Sequence, residues 1–135
     1  MDKDYDKVLN NILSIKDKLG KQIDPGIRHA VAALHISEIN TNASCEGHLH
    51  RGLPYPWIDV DDPSDRKKLD SYINIFYKVS CDDNKFRLRT VNFGSLGGCR
   101  LMSYPLISDD GIKDKSILQT CKLEMNKFAD FLLSL

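Results

Sequence analysis

From residue 3 to residue 19 apolar side chains return mostly at three- and four-residue steps: Tyr5, Val8, Leu9, Ile12, Leu13, Ile15 and Leu19. Charged residues fill the opposite face, the pattern of an amphipathic helix. Gly20 follows as its expected C-cap. A second helix is expected to open at Asp24-Pro25, with Asp as N-cap and Pro at the first helical position. Its stripe is Ile27, Ala30, Val31, Ala33 and Leu34, running to about Ile39. The alanines imply close packing against another element. His29 and His35 lie about 240° apart round such a helix, so they are expected in separate environments.

The period then changes. Thr41 to Cys45 reads as a short strand, and Trp57-Ile58-Asp59-Val60 alternates as a half-buried strand does. Asp61-Asp62-Pro63-Ser64 is a turn with N-cap chemistry, and a third helix is expected from Ser64 to Val79 on the stripe Leu69, Tyr72, Ile73, Phe76, Tyr77. After a polar turn, Phe86 to Phe93 and Cys99 to Tyr104 read as strands of an antiparallel hairpin across Gly94 to Gly98. On the first of them Arg87, Arg89 and Val91 are expected on one face, and Phe86, Leu88 and Thr90 on the other. A last helix spans about Ile112 to Leu135. This order predicts an α+β domain covering residues 1–135: a small, mainly antiparallel sheet of about four strands with helices packed on one face.

Composition narrows the function classes. Lys+Arg and Asp+Glu are 19 each, a zero formal charge that argues against a large nucleic-acid footprint but leaves room for a small basic patch. The chain has no apolar run of the length that crosses a membrane, and its first residues lack the apolar core of a signal peptide. A cytoplasmic location is expected. The four cysteines, at 45, 81, 99 and 121, form no C-x-x-C pair, so reduced and mostly buried thiols are expected.

Chemistry concentrates between Thr41 and Val60, which holds two of the four histidines, the single tryptophan and two of the five prolines. Three readings of this loop compete. In the first it binds a ligand: Ser44, Glu46, His48 and His50 offer mixed donors and acceptors, Gly47 lets the backbone turn or approach closely, and Tyr55 and Trp57 offer rings for stacking. In the second, Cys45, His48 and His50 ligate zinc with Asp59 or Cys99 as a fourth ligand. In the third, Cys45 is a nucleophile with His48 as its base. The zinc spacing matches no standard structural pattern, so no metal and no cofactor are expected. A second candidate is the hairpin, where Arg87, Arg89 and Arg100 beside a glycine-rich loop would suit a phosphate or carboxylate.

The run Ser44-Cys45-Glu46-Gly47-His48, preceded by a helix and a Thr and followed by Pro-Trp-Ile-Asp-Val, resembles a group of small uncharacterised bacterial and phage proteins with an S-C-x-G-H signature. The resemblance covers most of the chain from Asp24 onward and implies no assigned activity. More remotely, ten residues here are similar to the Ser-Cys-Ser-Gly-Arg motif of the wybutosine-synthesis tRNA methyltransferase family, with Glu46 in place of Ser and His48 in place of Arg. That likeness implies a related α+β scaffold with its site at this loop.

The leading expectation is a domain that binds a small polar, anionic or nucleotide-like ligand between Ser44–His50, Tyr55–Trp57, Asp59 and the arginine-bearing hairpin. The alternatives are an enzyme acting on a nucleotide or nucleic acid, with Glu46 and His48 as acid/base groups, and an oligomerising module that pairs through residues 3–19.

Overall fold

The computed structural model describes residues 3–14, 23–50, 53, 55–80, 86–94, 96–103 and 115–135. Helix α1 (Lys3–Ser14) is followed by a single 3₁₀ turn (Pro25–Ile27) that leads directly into α2 (Arg28–Ile36). Strands β1 (Ala43–Cys45) and β2 (Trp57–Val60) come next, then α3 (Pro63–Ser80), β3 (Leu88–Asn92), β4 (Cys99–Ser103) and α4 (Lys115–Leu133). This is the α+β architecture read from the sequence. The expected continuation of α1 to residue 19, the turn at 81–84 and the start of the last helix at 112 lie outside the described residues.

The second helix stops at Ile36, three residues before its apolar pattern ends. Glu38 adopts φ 62°, the left-handed region. Its N–H donates to His35 O at 3.0 Å, and the N–H of Ile39 reaches back to Leu34 O at 2.9 Å. Those paired bonds are the Schellman termination, which normally places glycine where Glu38 stands. Ile39 then folds into the core, fully buried. At the next helix Pro63 occupies the first position, and the Asp62 carboxylate accepts both the N–H and the hydroxyl of Ser64 at 2.8 Å. These bonds hold the Asp62 carboxyl below its ordinary value.

The sheet is antiparallel throughout, in the order β1-β2-β4-β3. Ile58, Val60, Leu88, Cys99 and Leu101 alternate onto one face and join the core with Ile27, Leu34, Leu69, Phe76, Met125 and Phe128 of the helical layer. The register aligns Cys45, Trp57, Met102 and Arg89 in one cross-strand row of the other face, and Ala43, Asp59, Arg100 and Val91 in the next. Gly98 is required where the hairpin loop passes the end of β2: a Cβ there would stand 2.5 Å from the Val60 carbonyl oxygen.

The apolar stripe of α1 meets the rest of the chain, as Tyr5, Val8 and Leu9 pack against the core cluster. The two α2 histidines do sit apart. His29 Nε2 lies 2.7 Å from Asp130 and its Nδ1 2.8 Å from the Tyr5 hydroxyl, whereas His35 Nε2 meets Thr41 Oγ1 at 3.0 Å.

Candidate functional site

The loop that leaves β1 is held against both helical neighbours. Gly47 has φ +91°, and a Cβ built there would stand 2.7 Å from Leu118 Cδ1 of α4 and 2.8 Å from the Tyr55 carbonyl carbon. Only glycine meets both demands. The N–H of His48 donates to Leu53 O at 3.1 Å, which folds the loop back toward β2. Glu46 accepts the Gly26 N–H at 3.3 Å and pairs with Lys122 Nζ at 3.6 Å, tying the loop to the 3₁₀ turn and to α4.

These contacts bring in a residue from outside the loop. Asp24 stands at the N-cap position of the 3₁₀ turn, but its side chain makes no capping bond there. Its Oδ2 instead accepts the Glu46 N–H at 3.2 Å and lies 3.4 Å from His48 Nε2. Among the described residues, one ligand atom each from Asp24, Cys45 and His48 lies within 4.8 Å of the other two. The Asp24 and His48 side chains retain 29% and 26% of their exposure, so the cluster opens to solvent. Asp24 was missed in the sequence because Asp-Pro-Gly reads as a helix start. Nothing local in the sequence marks its second role, which depends on contacts to Glu46 and His48, 22 and 24 residues away.

The arrangement disfavours nucleophilic catalysis by Cys45. Burial pushes its thiol pKa up, and the neighbouring Asp24 and Glu46 carboxylates push it the same way, against the lowering from the Gly47 N–H that donates to Sγ at 3.4 Å. A nucleophilic cysteine needs the opposite shift. His48 faces the Asp24 carboxylate, and Glu46 is engaged with Gly26 and Lys122.

The remaining residues singled out in the sequence are distributed as follows. Ser44 pairs with Ile58 and Cys45 with Trp57. His50 is exposed and stands outside the Asp24–Cys45–His48 cluster. The two suggested fourth ligands are also placed elsewhere, since Cys99 is buried in the core and Asp59 is bound to Arg100.

The three arginines do not form one anion site. Arg100 donates to both Asp59 carboxylate oxygens, at 2.7 and 3.0 Å. Its guanidinium lies 3.9 Å from the Trp57 ring centroid and 4.0 Å from that of Phe93. Arg87 precedes β3 and stacks 4.1 Å over Tyr77 of α3, where it borders a concavity of about 330 Å³ with Asn74 and Lys78. The expected shared face of Arg87 and Arg89 is therefore corrected: Arg89 lies in the Trp57–Met102 row, while Arg87 is drawn to α3 by the Tyr77 ring. The hairpin loop is braced from α3, since Arg66 Nη1 donates to Asn92 Oδ1 at 2.6 Å and to Gly98 O at 3.3 Å.

Comparison with protein-family models, with curated proteins and with solved structures yields no match. No helix among the described residues is long and apolar enough to cross a membrane.

Proposed function

We propose that this domain binds a small polar ligand at the loop spanning residues 44–50, with Asp24, Cys45 and His48 as the groups that meet it. The supporting observation is their convergence: a carboxylate from the N-cap position of the 3₁₀ turn, with a thiol and an imidazole from the end of β1 and the loop after it, share a half-buried position that solvent reaches. Anchoring supports the same reading, because Glu46 ties the loop to the 3₁₀ turn and to α4, Gly47 packs too closely on Leu118 and Tyr55 to carry a side chain, and the His48 amide folds the loop onto Leu53. Functional loops on a rigid scaffold are built this way.

An anionic or nucleotide-like ligand would meet His48 and Lys122 at this loop rather than the hairpin arginines, two of which have ring and carboxylate partners within the chain. Trp57 stands cross-strand from Cys45, with Arg100 against its ring.

The test is a titration with inorganic phosphate and a nucleoside monophosphate, followed by amide chemical shifts. Changes should centre on Asp24 and residues 44–50 and vanish in His48→Ala. Binding that leaves those resonances still, or that survives His48→Ala unchanged, refutes the proposal. A second reading, acid/base catalysis, is favoured by one observation, the Asp24–His48 pair at 3.4 Å. It predicts turnover that Asp24→Asn abolishes.

A further inference from the structure

We infer that Asp24, Cys45 and His48 form a three-ligand site for a zinc-class divalent cation, whose remaining coordination position is open to water or to an anionic donor of the bound ligand. The inference rests on the loop being the functional site, and it names what the ligand would bind to.

The spacing of the donors carries it. A tetrahedral zinc with bonds of about 2.0–2.3 Å sets its ligand atoms about 3.3–3.6 Å from one another. His48 Nε2 and Asp24 Oδ2 are 3.4 Å apart, and the full set lies within 4.8 Å. A good N–H···O hydrogen bond is about 2.7–3.2 Å. The pair makes a long mutual hydrogen bond and already stands at the separation of two ligands on one ion.

The donor types select the ion. Magnesium and calcium take oxygen ligands, often several, and a thiol would be wasted on them. Purely soft sites that favour copper(I) are built from thiolates and thioethers. One thiolate, one imidazole and one carboxylate suit zinc, and three protein ligands with a free fourth position is the arrangement of sites that act on a bound molecule rather than only brace the fold.

The surroundings orient the donors. The Glu46 N–H holds Asp24 Oδ2, and the Gly47 N–H points at Cys45 Sγ. Such outer bonds fix ligand direction in metal sites, and backbone donors are not lost to side-chain mutation. On binding, the Cys45 S–H bond breaks, sulfur keeps the electron pair and donates it to the cation, and the proton passes to solvent. The fold itself does not depend on the ion, since the core cluster assembles around Leu34, Ile58 and Phe128 and none of the three ligands belongs to it.

The experiment is titration of the metal-free, reduced full chain with cobalt(II), followed by displacement with zinc. One equivalent should bind, with a sulfur-to-cobalt charge-transfer band and the intense visible bands of tetrahedral cobalt. Cys45→Ser should lose the charge-transfer band. Asp24→Asn and His48→Ala should each weaken zinc by at least about tenfold, the lower end of what even outer-shell changes cost. His50→Ala and Cys121→Ala should bind as the parent does. Should Cys45→Ser fail to fold, His48→Ala serves alone, because that imidazole stands outside the core. Absence of one-equivalent binding, or binding indifferent to Cys45 and His48, overturns the metal site. In that event phosphate or nucleotide shifts at residues 44–50 in the metal-free chain would leave the ligand-binding proposal standing, and their absence would remove both.

Discussion

Leu118 Cδ1 on α4 comes within 2.7 Å of the place where a side chain on Gly47 would begin. Gly47 also has φ +91°, so a substitution meets backbone strain and a steric wall together. Strain alone costs about 1–2 kcal/mol for an L residue in the left-handed region. Overpacking adds about 1–3 kcal/mol. Gly47→Ala is expected to lose the sum, about 2–5 kcal/mol, by urea denaturation. Gly94 provides the control, with φ +82° and nothing within 4 Å of a Cβ. Gly94→Ala should lose only the first part. Equal losses at the two positions would show that Leu118 yields and that the loop is not clamped.

A buried hydroxyl joins helix, helix and sheet. Tyr77 donates to Glu124 Oε2 at 2.7 Å and accepts the Leu88 N–H at 2.6 Å. Glu124 is 1% exposed. Burial, and then the hydrogen bond to Glu124, raise the Tyr77 pKa, so the phenol stays protonated and can keep donating. Tyr77→Phe removes the donor to a buried carboxylate and the acceptor of a backbone N–H. The expected loss is at least about 2 kcal/mol, since unsatisfied buried groups cost about 1–3 kcal/mol each. Retention of the wild-type denaturation midpoint would show that other partners of Glu124 suffice.

His35 makes folding depend on pH. Burial lowers its pKa below the ordinary 6.5. Between the folded and unfolded values the unfolded chain carries a proton that the folded chain does not, so stability rises with pH across that window. The penalty appears as pH falls below about 6.5 and levels off beneath the folded value. His35→Gln keeps a polar group for Thr41 Oγ1 and removes the titration. Its denaturation midpoint should fall less than that of the parent between about pH 7.5 and pH 5. Parallel curves would show that His35 is not the group responsible.

Much of this architecture was legible because it is local. The stripe Leu69, Ile73, Phe76, Tyr77 is a burial pattern, and burial is what the folded chain preserves. At 57–60 Ile58 and Val60 enter the core as the alternation implies, but the strand is not half-buried in the way it reads, because Asp59 is covered by its pair with Arg100. Gly47 was legible as a special backbone position among polar neighbours, though nothing local announced that Leu118 would be its wall. The apolar pattern runs past the end of α2 because Glu38 takes a conformation usually left to glycine, which turns the next residue, Ile39, into the core. Asp24 and Arg87 were misplaced for a related reason. Each has a plausible local role, as cap or strand face, and each is taken instead by a partner 21 or more residues distant or on another element: Cys45 and His48 for Asp24, Tyr77 for Arg87.

The last expectation concerns Arg100, which the sequence offered for anion binding and the structure commits to Asp59. The Asp59 side chain is 4% exposed and that of Arg100 16%, and both carboxylate oxygens are bonded. Such a pair is weak evidence for net stability, because desolvation of both ions offsets their attraction. Breaking it is another matter. Arg100→Met leaves the Asp59 carboxylate buried without its guanidinium and exposes the Trp57 and Phe93 rings that sandwiched it. The expected loss is about 3–5 kcal/mol. Arg100→Lys should recover little, because an ammonium neither bridges both oxygens nor stacks as the planar guanidinium does. Asp59→Leu combined with Arg100→Met should return most of the loss, since an apolar pair of similar volume needs no ionic partner. The cycle of single and double variants, read by urea denaturation, measures the coupling directly. If Arg100→Met is as stable as the parent, Asp59 is not holding Arg100, and this arginine returns to the set available to an anionic ligand.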